Sequence, residues 1–229
     1  MQIVHDKESL MKKIREYKSK GNKITLIPTM GNLHQGHQAL FSNAPHNTIK
    51  VVSIYVNPLQ FDRDDDYQNY PRSLQTDLEV CMQNNITLVY VPKGDISNEI
   101  VIEKSIDLPK FTRYLCGQKR EGHFLGVYKI VKYLFSIVNP DFACFGKKDF
   151  QQLLLIKYIA NTYFPGMNII DVDTVRDMNN VALSSRLTRL SKESLSLTSR
   201  IYETLQNIKL ELLKGSSFKK LKEESVDYL

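Results

Sequence analysis

Short β-branched apolar runs alternate along this chain with longer stretches whose apolar residues recur every three or four positions. The runs Lys23–Ile27, Val51–Val56, Ile86–Val91, Asp141–Phe145 and Met167–Val175 read as buried strands. Between Asp6 and Lys20, the residues Leu10, Met11, Ile14 and Tyr17 fall at helical spacing, and Gly21 stands in a stop position. Helices are also predicted from Gln38, over Ser73–Gln83, from Arg120 to Val138, over Phe150–Asn161 and over Lys192–Lys214. The Arg120–Val138 helix carries Phe124, Val127, Ile130, Val131, Leu134, Phe135 and Val138 as a core face. Asp62–Asp66 reads as an acidic flexible loop, Pro92–Phe111 as a surface excursion or small flap, and the C-terminus as a short charged tail. Alternating strand and helix signals predict an α/β protein with a parallel sheet covered by helices on both faces. Near residue 175 the β-branched runs give way to a Leu/Ser/Lys-rich helical region, so the chain is divided into 1–175 and 176–229.

The stretch with the densest chemistry lies between the first strand and its helix: Pro28-Thr29-Met30-Gly31-Asn32-Leu33-His34-Gln35-Gly36-His37. A strand, a glycine-bearing turn and a helix start place amides where peptide dipoles favour an anion. Gly31 and Gly36 permit close backbone approach, and His34 and His37 can donate to phosphate oxygens or move a proton near neutral pH. A plain strand-to-helix turn with incidental histidines is the competing interpretation. Spacing removes three others. His37 and Gln38 stand where a P-loop needs lysine and Ser or Thr, no G-x-G-x-x-G occurs, and no partner at zinc spacing accompanies the histidines.

Two further strand ends repeat this logic. Asn57-Pro58-Leu59-Gln60-Phe61 places carboxamides at the C-terminal end of the second run, suited to a substrate with hydroxyl and carboxylate groups or to capping a loop. After the fourth run come Gly146-Lys147-Lys148-Asp149, with Gln152 in the next helix. Lys148 can neutralise a phosphate, and Asp149 can accept from ribose hydroxyls or cap the helix.

Composition adds bounds. The 229 residues are 42% hydrophobic and 24% charged, which suits a real core in one large domain or a medium one with an appendage. A net charge of +6 fits polyphosphate and carboxylate substrates as well as nucleic acid, but the basic residues are scattered. No nucleic-acid partner is expected. The three cysteines, Cys81, Cys116 and Cys144, lack a C-x-x-C and read as reduced cytosolic thiols. Asp6 and Glu8 at the start argue against a signal peptide, and no apolar run is long enough to span a membrane. A cytoplasmic location is expected.

In order along the chain, these motifs resemble the pantothenate synthetase (pantoate–beta-alanine ligase) family of the HIGH-motif nucleotidylyltransferase superfamily. The matching segments are Pro28–His37, Ser53–Phe61, Tyr70-Pro71-Arg72 with Asp77-Leu78, Gly122-His123-Phe124 with Gly126-Val127, Gly146–Leu153 and Ser184-Ser185-Arg186. The resemblance implies a Rossmann-like nucleotide- and pantoate-binding domain over 1–175 and a reduced C-terminal lid over 176–229 bearing the Ser-Ser-Arg loop. It implies condensation of pantoate with beta-alanine through pantoyl adenylate, with AMP and pyrophosphate released, magnesium carried by ATP, and a homodimer. Carried over, Met30, Gly31, Asn32, Leu33, His34, Gln35, Gly36 and His37 would line the ATP site. Gly146, Lys147, Lys148, Asp149, Val175, Leu183, Ser184, Ser185 and Arg186 would join them. His37, His34, Lys148 and Arg186 would be catalytic. Gln60 and Gln152 would hold pantoate, and Gln60 would also meet beta-alanine. Glu121, Lys147 and Tyr133 depart from the family pattern, as do Asn180, Leu187 and Arg189 around the Ser-Ser-Arg loop. Rival readings are another nucleotidyltransferase on this fold, an inactive paralogue and a basic nucleic-acid-binding module.

Overall fold

Every predicted apolar run contributes a strand to one parallel sheet, and a short edge strand joins them. The computed structural model describes residues 1–100 and 106–228; residues 101–105 of the 92–111 excursion, and residue 229, lie outside the described residues. The elements are β1 (Gln2–Val4), α1 (Lys7–Ser19), β2 (Lys23–Thr29), α2 (Gln35–Ser42), β3 (Thr48–Ile54), α3 (Asp64–Gln68) and α4 (Leu74–Gln83). They continue with β4 (Leu88–Tyr90), α5 (Cys116–Lys119), α6 (His123–Val138), β5 (Phe142–Gly146), α7 (Phe150–Tyr163) and β6 (Asn168–Val172). Strand order is β1-β4-β3-β2-β5-β6, and Leu26 of β2 lies opposite Val51 of β3 and Ala143 of β5.

Strand residues alternate between two cores. Ile24, Leu26, Val51, Leu88, Tyr90, Ala143 and Phe145 face one side, packed with Leu10 and Ile14 of α1 and the apolar faces of α6 and α7. Ile27, Val52, Val89, Cys144 and Val172 face the other, with Leu40 and Phe41 of α2 and Cys81 of α4. Both faces being covered explains why the runs are nearly continuously apolar. The sheet is Rossmann-like. From β2 the chain moves outward through β3 and β4, whereas β5 and β6 lie on its other side. The crevice between the β2 and β5 ends is therefore a topological switch point, where such sheets bind ligands.

Several elements differ from the sequence pattern. β1 is only three residues of edge strand, too short for a periodic signal. The acidic loop contains α3, whose first turn holds Asp64, Asp65 and Asp66, where carboxylates complement the helix dipole. The helix predicted from Arg120 begins at His123, because Gly122 has φ 75°. The excursion is tied down before residue 101: Ile96 and Ile100 are buried, and Tyr55 donates to Asp95 at 2.9 Å. Tyr133, one of the family departures, is buried and donates to Glu99 at 2.7 Å.

The chain forms two compact units, Met1–Thr174 and Val175–Leu229. The second opens with a tight hairpin in which Arg176 pairs antiparallel with Ala182. Asp177 Oδ1 accepts from the amides of Asn179 (2.8 Å) and Val181 (2.9 Å). The Arg176 guanidinium lies 4.0 Å from the Tyr202 ring centroid. The single helix predicted over Lys192–Lys214 is two, α8 (Lys192–Leu197) and α9 (Ser199–Leu213). Thr198 between them turns its hydroxyl onto the Leu195 carbonyl at 2.6 Å, a local bond that competes with the helix ladder. The charged tail is a further helix, α10 (Phe218–Tyr228). Among the described residues no helix is long and apolar enough to cross a membrane.

Candidate active site

Three strand ends, those of β3, β2 and β5, lie side by side and carry the segments that the motifs single out. The first rim is the turn after β2. Gly31 has φ 81° and Asn32 φ 49°, so successive amides converge. The sequence leaves these amides for a bound anion, but the chain uses them itself. Asp77 from α4, 1% exposed, takes the Asn32 amide at 2.9 Å and the Leu33 amide at 2.7 Å. A Cβ on Gly31 would lie 2.9 Å from Asp77 Oδ2 and 3.2 Å from Ile54 Cγ2, so this position requires glycine for space as well as for φ.

The imidazoles then close the start of α2. His34 is the N-cap, and its Nδ1 accepts from the Gly36 amide at 3.1 Å. His37 Nδ1 accepts from the His34 amide at 3.2 Å, the reciprocal capping arrangement with a histidine in the usual glutamate place. Since both Nδ1 atoms accept, each neutral ring carries its proton on Nε2. Burial, reinforced by the charges of His34 and Lys148, holds His37 down to about 3. Burial and Lys148 lower His34 as well. At neutral pH this pair presents Nε2–H donors and not acids. The ring centroids are 4.2 Å apart.

The second rim is the shelf after β3. Asn57, 1% exposed, uses Oδ1 to accept from the Leu59 amide (3.3 Å) and Nδ2 to donate to Gln60 Oε1 (3.1 Å) and the Gly126 carbonyl (3.2 Å). Asn57 is thus the loop cap, while Gln60 is left with Nε2 for another acceptor. From below, His123 Nδ1–H donates to the Gln60 carbonyl at 2.7 Å, and Arg120 reaches the same oxygen at 3.3 Å. His123 Nε2 accepts from Arg120 at 3.2 Å, and Arg120 is anchored on Asp62 at 2.9 Å. Burial lowers the pKa of His123, and the Arg120 charge adds to this against the bond to Gln60. Gly126 lets the shelf lie directly on α6: a Cβ there would sit 2.0 Å from the Leu59 carbonyl oxygen.

The third rim follows β5. Lys148 pairs with Asp149 at 3.2 Å and Lys147 with Asp173 at 2.7 Å, all at the surface. Asp149 makes no side-chain bond to the start of α7, so its carboxylate is not used as a cap. Gln151 clamps the preceding loop, donating to the Phe111 and Tyr114 carbonyls (both 2.7 Å) and accepting from the Cys116 amide (3.2 Å). Its neighbour Gln152 is half-buried.

Residues 2–229 match the family model described as Pantoate-beta-alanine ligase. The chain belongs to that family. Among pantoate-beta-alanine ligase relatives, a pantothenate synthetase of Aliivibrio fischeri is 44% identical over 189 residues, 81% of this chain and 65% of the relative. One from Aliivibrio salmonicida is 37% identical across 100% of this chain and 78% of its own length. The chain therefore spans about two thirds to four fifths of these relatives. In structure, pantothenate synthetase from Thermus thermophilus superposes with a TM-score of 0.90 at 31% identity, covering 100% of this chain and 83% of the other. The pantoate-beta-alanine ligase of Francisella tularensis, complexed with Beta-gamma ATP and beta-alanine, gives 0.86 at 31% identity over 99% and 85%.

Of the site residues the family pattern suggests, Met30–His37, Gln60, Gly146–Asp149 and Gln152 all belong to the first unit. Val175 and Leu183–Arg186 belong to the second. There the Val175 carbonyl accepts from the Leu183 amide at 3.0 Å, Ser184 Oγ accepts from the Arg186 amide at 3.3 Å, and Ser185 is buried. Sequence reasoning assigned no role to Asp77 or His123, and left Asn57 open between a substrate carboxamide and the loop cap that it forms here. A buried polar residue inside an otherwise amphipathic stretch was the available signal, and only Asp77 on α4 displays it clearly.

Proposed function

We propose that this protein condenses pantoate with beta-alanine, driven by ATP and proceeding through pantoyl adenylate, releasing pyrophosphate and then AMP. The observation that carries the reading is the switch-point crevice. Paired Nε2–H imidazoles follow β2 on one side of it and Lys148 follows β5 on the other, and an oriented carboxamide, Gln60, follows β3, the next strand beyond β2. Attack of a carboxylate on the α-phosphorus needs positioning and charge neutralisation more than a covalent nucleophile, and this site offers both. The Francisella tularensis relative with its nucleotide and beta-alanine supports the same substrates.

In this reading His34 and His37 donate to the phosphates, Lys148 neutralises them, and Asp149 accepts from the ribose. Met30, Gly31, Asn32, Leu33, Gln35, Gly36, Gly146 and Lys147 line the nucleotide. Gln60 and Gln152 hold pantoate, with Gln60 also beside beta-alanine. The second unit acts as a lid, with Val175 meeting the adenine through its backbone and Leu183, Ser184, Ser185 and Arg186 meeting the triphosphate. Magnesium belongs to the ATP substrate; among the described residues no group of three or more His, Cys, Asp or Glu is placed to hold a metal ion. A cytoplasmic homodimer completes the proposal.

The test is order of chemistry. With ATP, magnesium and pantoate but no beta-alanine, labelled pyrophosphate should exchange into ATP; beta-alanine should then yield AMP in step with pantothenate. Release of ADP, or exchange that requires the amine, would overturn the adenylate route.

A further inference from the structure

The turn after β2 has the shape of an anion receptor that the chain has already filled. Positive φ at Gly31 and Asn32 turns successive amides inward, the backbone concavity that elsewhere captures phosphate. Here the occupant is Asp77. Its Oδ2 accepts from Asn32 N at 2.9 Å and its Oδ1 from Leu33 N at 2.7 Å. Oδ1 also accepts from Ser73 Oγ at 3.2 Å, which holds the carboxylate from its own helix. Three neighbouring amides are occupied as well: Gly31 N donates to Thr29 Oγ1 at 3.3 Å, His34 N to His37 and Gly36 N to His34. His34 follows Leu33 directly, so whatever fixes the Leu33 amide also fixes the origin of the imidazole pair.

We propose that Asp77 is a positioning residue of the nucleotide site: it closes the turn's amides to phosphate and holds the backbone from which His34 and His37 present Nε2–H. This rests on the ATP-dependent reading above and assigns a role to a side chain that touches no substrate. Two consequences follow from the geometry. A phosphate cannot enter the concavity, since a carboxylate already occupies it. The phosphate contacts therefore fall on side-chain donors whose direction is set by Asp77, at a distance, through the Leu33–His34 backbone.

The experiment compares Asp77→Asn with Ser73→Ala. Asparagine keeps the shape but offers one acceptor oxygen and an NH2 group, so one of the two turn amides faces a donor and loses its bond. Ser73→Ala keeps the carboxylate and removes the hydroxyl that braces its Oδ1 at 3.2 Å and also reaches Asn32 Oδ1 at 3.4 Å. Dissociation constants are measured by calorimetry with ATP alone and with pantoate alone, alongside thermal melts. The expected result is ATP binding weaker by roughly tenfold or more in Asp77→Asn, a smaller loss in the same direction in Ser73→Ala, and pantoate binding unchanged within about twofold. A purely structural role would weaken both ligands together. If the turn amides were the true phosphate receptor, removing the carboxylate charge would tighten ATP binding. Tighter or unchanged ATP binding, or parallel loss of pantoate, overturns the proposal. Should Asp77→Asn fail to fold, Ser73→Ala decides alone: selective loss of ATP affinity supports the role, and an unchanged or tighter affinity sinks it. Failure of the underlying reading is distinguishable, because the unsubstituted protein would then neither bind ATP nor exchange pyrophosphate.

Discussion

The turn after β2 is gripped by its amides, and the shelf after β3 by a carbonyl. Asp77 takes the Asn32 and Leu33 N–H groups; His123 and Arg120 give theirs to the Gln60 oxygen. Both clamps come from helices outside the segment they hold, and both are centred on a buried side chain. The effect is the same in each case: the backbone is satisfied internally and the side chains are freed. His34 and His37 are left with Nε2–H, and Gln60 with its Nε2 amide. Since the two clamps share no residue, the two binding functions can be broken separately, in the way that independent sites show additive effects.

The most disruptive change is expected on the shelf. Gly126→Ala places a methyl 2.0 Å from the Leu59 carbonyl oxygen and 2.6 Å from the Gln60 amide nitrogen, both backbone atoms that cannot rotate away. The shelf must lift off α6, at a cost of about 3 kcal/mol or more. Denaturant unfolding should show that loss, and calorimetry should show pantoate affinity falling far more than ATP affinity. Equal loss of both would mean the two rims are not independent.

Next in size is an acid limb from the turn. His37 is held near 3 in the folded protein, against 6.5 for the unperturbed side chain. As pH falls below 6.5 the unfolded chain takes up the proton first, so stability rises with pH between about 3 and 6.5 and is lost on acidification through that window. The slope approaches about 1.4 kcal/mol per pH unit for one such group. His34 and His123 shift in the same direction. His37→Asn, which keeps an acceptor for the His34 amide, should reduce the steepness of the acid limb by close to one proton in urea titrations at pH 7, 6 and 5. An unchanged slope would show that His37 is protonated in the fold.

The sequence made the frame legible where physics is local. Strands buried on both faces are nearly continuously apolar, as Ile24–Ile27 and Val51–Ile54 are apart from Thr25 and Ser53, and Asp6 caps α1 through a bond to Ser9 three residues on. The clamps were hidden because their partners are remote: Asp77 to Leu33 spans 44 residues and His123 to Gln60 spans 63. Spacing alone identified His34, His37 and Gln60 as chemically competent, but not which atom of each ring or amide is left over. That depends on which backbone group the fold places against the other side.

A smaller effect tests the His123 clamp. His123→Asn can place an amide N–H near the position of Nδ1 and keep the bond to the Gln60 carbonyl, while His123→Leu cannot. Leucine is expected to weaken pantoate binding by roughly tenfold, in line with one lost buried hydrogen bond; asparagine should recover most of it, with ATP affinity steady in both. Equal defects in the two variants would mean that ring packing, not the donated proton, holds the shelf.

The smallest effect is expected at the third rim, which among the described residues has no comparable buried clamp. Lys147 reaches Asp173 at 2.7 Å, but the Asp173 side chain is 89% exposed and that of Lys147 43%, so water and salt compete for both partners. The hydrogen bond and charge of Asp173 raise the Lys147 pKa, and substitution tests the pair directly. Asp173→Asn should move the melting temperature by about 2 °C or less, with that small shift vanishing at high salt and pantoate affinity untouched. Exchanging the charges, Lys147→Asp together with Asp173→Lys, should restore whatever Asp173→Asn loses. A shift as large as that of Gly126→Ala would place a buried constraint at this rim too, and the contrast between clamped and unclamped strand ends would fail.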